Sequence, residues 1–135
     1  MVTNVDTGDL TLGVIGTGAM GRGIAQIMAA GGLKVLMFDA TEGAAEAGRA
    51  FAERMIMRAA EKGTLTDDDA EAAAGRLSVV DSLSDLASCN VVVEAVVEDL
   101  SIKREVFGDL EGIVGEETIL ATNTSSLSVT AIAAE

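Results

Sequence analysis

Gly16, Gly18 and Gly21 stand in the spacing G-x-G-x-x-G, and Asp39 follows 23 residues after the first of them. Backbone N–H groups at the start of a helix bind phosphate oxygens, and the helix dipole adds to the attraction. Each glycine has its own part in such chemistry. Gly16 permits a tight turn, Gly18 lets the backbone approach a pyrophosphate, and Gly21 lets the helix pack close on a sheet. The N–H groups near Ala19 and Met20 then face the phosphates. An acid about 20 residues on accepts hydrogen bonds from ribose hydroxyls. Asp39 is placed for that, and its charge repels a 2′-phosphate, so the expected cofactor is NAD and not NADP. The bland alternative is a tight strand–helix turn beside a solvated strand-end acid. Five glycines fall within the thirteen residues Gly13–Ala25. At about 0.5–1 kcal/mol each in regular structure, that density favours the ligand.

The remaining side chains narrow the chemistry. The chain has no histidine, so it contains no imidazole base. Cys89 is the one cysteine, which rules out an internal disulfide and suits a reducing cytoplasm; just before an apolar run, it reads as inert filler. No metal site is expected. The 22 acids and 9 bases give a formal charge of −13, unlike the basic face of a nucleic-acid binder. No apolar run nears the roughly 18 residues of a membrane span. MVTNVDTGD lacks the basic and apolar regions of a signal peptide, and residues 1–9 read as a flexible lead-in.

The elements that must hold the glycines follow from apolar patterning. LTLGVI (10–15) reads as a buried strand, 19–30 as a helix stopped by AGG, and KVLMFD (34–39) as a second buried strand. Together they form a compact βαβ unit. The pattern over 41–62 is helical, with Thr41 as its cap and Phe51, Met55 and Ile56 facing inward. A further helix begins near Thr66 with acids in its first turn. The two make a helical hairpin over about 42–75. SVV (78–80) is a brief strand, SLSDLA a helical turn, and NVVVEAV a strong strand. Residues 99–113 are amphipathic, and TILATN (118–123) is the last clear strand. Alternating strands and helices predict an α/β fold: a Rossmann-type, doubly wound, mainly parallel sheet covered on both faces, with the hairpin inserted after the second strand. LSVTAIAAE begins an apolar helical pattern and stops without a cap, so the chain is expected to be cut within a longer protein.

Beyond the glycines, GVIGTGAMGRGIAQIMAAGG, VVVEAVVEDLSIKREVFGDLE and ILATNTSSLSVTAIA resemble the N-terminal NAD-binding domain of the NAD-dependent 3-hydroxyacyl-CoA dehydrogenases, including the 3-hydroxybutyryl-CoA and 3-hydroxyadipyl-CoA types. The resemblance covers nearly all of residues 10–135. It implies an enzyme of fatty acid β-oxidation, in the cytoplasm, oxidising L-3-hydroxyacyl-CoA to 3-oxoacyl-CoA by hydride transfer to NAD. It places Ala95 (through its backbone), Glu98 and Lys103 beside the nicotinamide, with Asn123 at the same end and Ser125 at the substrate's 3-oxygen, the last two as catalytic-site residues. It puts Lys62 at the CoA moiety, with Arg54 and Arg58 as helpers. The general-base histidine and the helical C-terminal domain that builds a homodimer and completes the substrate pocket have no counterpart among these residues. The chain is therefore expected to bind NAD without turnover.

Read without the resemblance, Glu98 and Lys103 suit a helix start and a surface charge. Asn123 to Ser126 suit a helix cap, and Arg54 and Arg58 a solvated face. The competing functions are a non-catalytic NAD-binding module and another β-hydroxyacid dehydrogenase.

Overall fold

The computed structural model describes residues 10–95, the helical pair 108–109 and the strand residues 119–122. Five strands, β1 (Thr11–Ile15), β2 (Lys34–Phe38), β3 (Leu77–Val79), β4 (Val91–Glu94) and β5 (Ile119–Thr122), form one sheet in the order β3-β2-β1-β4-β5. Every pairing is parallel. The strand order reverses direction between β1 and β4, which makes the carboxyl ends of these strands the place where an open α/β sheet binds ligands.

Side chains alternate along each strand, and the two faces separate accordingly. Leu12 and Val14 of β1 and Val35 and Met37 of β2 pack with Ala25 and Ala29, Ala52 and Ile56, and Ala70 and Ala73. Those small and branched residues come from α1 (Ala19–Ala30), α2 (Ala44–Glu61) and α3 (Asp67–Gly75) respectively. Ile15, Leu36 and Val92 point the other way, onto Leu86 and Cys89 at the 3-10 turn Leu83–Leu86. The buried side of α1 is Gly21, Ala25 and Ala29, a four-residue repeat of small residues that brings the helix axis close to the sheet.

The expected element order holds across the described residues, with shifts at several boundaries. Asp39 lies just beyond β2, and β3 starts one residue early because Leu77, 2% exposed, belongs to the core. β4 ends at Glu94. Thr41 does not cap α2. Its N–H is held by Asp39, the Ala44 N–H returns to the Thr41 carbonyl, and Gly43 takes the cap position at φ +80°. Of the three residues expected inward on α2, Ile56 is buried while Phe51 and Met55 are half-buried. The ring of Phe51 is covered instead by the guanidinium of Arg22, 3.8 Å from its centroid. The helix expected near Thr66 is α3, and Thr66 caps it, its hydroxyl accepting from the Asp69 N–H.

Candidate functional site

The glycine loop leaves the carboxyl end of β1 with Gly16 at φ +92°, a conformation glycine adopts without penalty. The Gly16 N–H donates to the Phe38 carbonyl at 2.8 Å, tying the turn to the end of β2. A Cβ at Gly21 would lie 1.7 Å from the Gly16 carbonyl oxygen, so this glycine is what lets α1 close onto the loop. A Cβ at Gly18 would meet nothing within 4 Å. The space in front of it is open, as the approach of a pyrophosphate requires.

Gly18 is also the N-cap of α1, and no side chain caps the helix. The N–H groups of a helix's first turn have no acceptor within the helix. Gly18, Ala19 and Met20 are exposed, and the first turn of α1 carries no acidic residue. A positive helix end thus faces solvent at the mouth of the loop.

Across the loop, Asp39 is held by three hydrogen bonds. Its Oδ2 accepts from the Thr17 N–H at 2.8 Å and the Thr17 hydroxyl at 2.9 Å; its Oδ1 accepts from the Thr41 N–H at 2.9 Å. Burial pushes the carboxyl upward in pKa, but the bonds from Thr41 and Thr17 outweigh that and hold it below its usual value. Beyond Asp39 a cleft of about 240 Å³ opens at the carboxyl ends of β2 and β3. Val79 and Val80 supply apolar wall, and Glu42, Glu46 and Asp81 stand with Asp39 around it. A flat, uncharged base with a ribose suits such a cleft, and four carboxylates disfavour an added phosphate.

The structure therefore brings Gly16, Gly18, Ala19, Met20, Gly21 and Asp39 to one edge of the sheet. Ala95 joins them: its N–H donates to the Ile15 carbonyl at 2.7 Å, extending the β1–β4 pairing by one residue. Lys62 does not. It is the exposed C-cap of α2, fourteen residues past Gly48, or about 21 Å along the helix at about 1.5 Å per residue. Arg54 and Arg58 line an open groove on α2 with Glu53, Met57 and Glu61. Glu98, Lys103, Asn123 and Ser125 lie outside the described residues.

Four residues that patterning did not single out for the site belong to it or support it. Thr17, 4% exposed, links the loop to Asp39. Gly48 lets α2 press on Thr17; a Cβ there would stand 2.9 Å from the Thr17 Cβ. Arg22 joins α1 to Phe51 of α2. Glu94 is fully buried at the end of β4, in register with Ile15 and Thr122. An acid closing an apolar strand and a charge among glycines were the sequence signals among these. Among the described residues, no group of three or more His, Cys, Asp or Glu side chains could hold a metal ion, and no helix is long and apolar enough to cross a membrane.

Residues 11–135 match the family described as 3-hydroxyacyl-CoA dehydrogenase, NAD binding domain. A probable 3-hydroxybutyryl-CoA dehydrogenase of Deinococcus radiodurans is 43% identical over 124 residues, which are 92% of this chain and 44% of that protein. The 3-hydroxyadipyl-CoA dehydrogenase of Escherichia coli is 39% identical over 136 residues, 100% of this chain and 28% of that protein. Among solved structures, (S)-3-hydroxybutyryl-CoA dehydrogenase from Ralstonia eutropha superposes with a TM-score of 0.86 at 40% identity, covering 92% of this chain and 44% of that one. The chain thus spans less than half the length of these relatives.

Proposed function

This chain belongs to the 3-hydroxyacyl-CoA dehydrogenase family, as its NAD-binding domain, and on that premise we propose that the protein serves the oxidation of L-3-hydroxyacyl-CoA to 3-oxoacyl-CoA. The observation that carries the reading is the uncapped, acid-free start of α1 across the glycine loop from an anchored carboxylate. The open space at Gly18 and the orientation of Asp39 fit NAD. Bound there, NAD supplies the acceptor for the hydride that leaves C3 of the substrate.

The chain's own residues have binding and orienting parts. The first-turn N–H groups of Ala19 and Met20 meet the pyrophosphate, and Gly18 keeps the approach clear. Asp39 accepts from the adenosine ribose and repels a 2′-phosphate. Ala95, Glu98, Lys103 and Asn123 serve the nicotinamide end, and Ser125 donates to the substrate's 3-oxygen, where a hydroxyl stabilises developing charge. Lys62, with Arg54 and Arg58, offers cations to the phosphates of CoA. No histidine is present to take the hydroxyl proton, so the part of this chain is to hold and orient NAD. The cytoplasm as its compartment, fatty acid β-oxidation as its setting and a homodimer as the form of the longer enzyme rest on the family likeness, the first also on the single cysteine.

Calorimetric titration with NAD and then NADP tests the reading, followed by addition of L-3-hydroxybutyryl-CoA with absorbance read for NADH. The expected result is NAD binding, NADP binding at least about tenfold weaker (1.4 kcal/mol), and no turnover by this chain. Equal affinity for the two cofactors would remove Asp39 from its assigned part. Enzyme-like turnover would require a base other than histidine.

A further inference from the structure

An ionised carboxylate offers about four lone-pair sites, two on each oxygen. In Asp39 both sites of Oδ2 are taken by one residue, Thr17, through its N–H and its hydroxyl. One site of Oδ1 is taken by the Thr41 N–H. The Thr41 hydroxyl also bears on the carboxylate, and the acceptor capacity left for a ligand is on Oδ1.

We propose that Thr17 is a positioning residue for the cofactor's adenosine ribose: it saturates Oδ2 of Asp39 and so assigns the ribose hydroxyl to Oδ1 alone. Thr17 lies at the first variable position of G-x-G-x-x-G, where the pattern by itself asks for nothing. Its side chain is nearly enclosed, 4% exposed, and its rotamer has a backstop. Gly48 of α2 approaches so closely that a Cβ would stand 2.9 Å from the Thr17 Cβ and 3.0 Å from its carbonyl oxygen. The loop, the strand-end carboxylate and the helical hairpin are thereby locked into one unit. The orientation of Asp39 is set before any ligand arrives, which reduces the ordering cost of binding. This inference rests on the cofactor reading above.

NADH and NADPH affinities, read by the fluorescence of the reduced nicotinamide, test it in Thr17→Val, Thr17→Ser, Asp39→Ala and the Thr17→Val/Asp39→Ala double variant. Thr17→Val keeps the shape and the N–H but removes the hydroxyl bond. NADH affinity is expected to fall about tenfold, with NADPH affinity changed less than about twofold because it draws no benefit from Asp39. Serine at position 17 is expected to restore NADH binding, and in the Asp39→Ala background the valine substitution is expected to cost less than about twofold. Equal losses for the two cofactors, an undiminished loss in the Asp39→Ala background, or failure of serine to restore binding would each reduce Thr17 to a packing residue. Should Thr17→Val not fold, Gly48→Ala carries the same test, since its Cβ displaces Thr17 without touching the carboxylate. NADH affinity lost selectively there supports the proposal, and parallel loss of NADH and NADPH overturns it. If the unsubstituted protein binds no NADH, the cofactor reading itself fails and this proposal with it. If it binds NADH and Thr17→Val binds as well, only the proposal fails.

Discussion

Adding one methyl group at each of three neighbouring glycines should give three different results. At Gly21 the new Cβ would sit 1.7 Å from the Gly16 carbonyl oxygen and 2.8 Å from its carbon. Both are backbone atoms, so no side chain can swing aside. Helix α1 must retreat by about 1.3 Å merely to reach 3.0 Å, which puts the cost near the upper end of ordinary overpacking, about 3 kcal/mol. Alanine's helix propensity returns about 1 kcal/mol, leaving Gly21→Ala less stable by about 2 kcal/mol. That corresponds to a melting point lower by about 6–10 °C for a domain of this size. At Gly18 the Cβ meets nothing within 4 Å, and φ −70° suits alanine. The stability change there is the loss of a preferred cap residue, under about 1 kcal/mol. The methyl occupies the ligand's space instead, and an overpacking cost of about 1–3 kcal/mol becomes about a 5- to 150-fold loss of NADH affinity. At Gly23 there is also no neighbour within 4 Å, and the position lies inside α1 away from its N-terminus. Gly23→Ala should stabilise by up to about 1 kcal/mol and bind NADH unchanged. Thermal melts and fluorescence titrations of the three variants suffice. A Gly18→Ala protein that binds NADH normally would refute the assignment of that open space to the cofactor, and a Gly21→Ala protein that melts normally would refute the packing argument.

Cys89 offers a second check. Burial pushes its thiol pKa from 9.0 up to about 11, against a small opposing pull from Lys34. The folded state therefore retains the proton where the unfolded chain loses it, and stability should fall as pH rises from about 9 through about 11; urea melts across that range measure it. Alkylation at pH 8 should likewise follow the rate of opening and not that of an exposed thiol. Thr66→Ala removes the hydroxyl that accepts from the Asp69 N–H at 3.0 Å and should cost about 1 kcal/mol in a denaturant melt, with NADH affinity unchanged because that bond stays within α3.

The sheet and the loop were legible because they depend on local rules. The runs around Val14, Val35 and Val92 are apolar and β-branched, and a glycine pattern between strand and helix has one common structural use. Asp39 was legible for the same reason. Thr17 and Gly48 were not. Their importance comes from α2 crossing back over the loop, a contact between residues 31 apart, and a glycine within an alanine-rich helix looks like composition. Arg22 stood out only as a charge among glycines; its partner Phe51 was assigned to the core by helical spacing. The ring is only half-buried and meets a guanidinium at 3.8 Å, an arrangement that periodicity does not encode. Thr41 is not the cap because the chain turns once more before the helix: the Ala44 N–H returns to the Thr41 carbonyl and Gly43 stands at the helix start.

A protein with formal charge −13 that holds an anionic dinucleotide must keep its acids away from the phosphates, and the helix ends show how. The first turn of α3 carries Asp67, Asp68 and Asp69, and that of α2 carries Glu46; in both, acids complement the dipole in the usual way. The first turn of α1 carries none, and no side chain caps it. Its positive end is left for a ligand to complement. Asp39, Glu42, Glu46 and Asp81 gather instead around the cleft beyond Asp39, where a ribose and a neutral base gain from acceptors and only an extra phosphate is penalised. Acids spread over the remaining surface act on the ligand through water and salt, which screen beyond about 8 Å at physiological ionic strength. Local placement can therefore outweigh net charge at this site. On the proposed reading, the same distribution that admits a pyrophosphate at α1 opposes a 2′-phosphate at the far side of the loop.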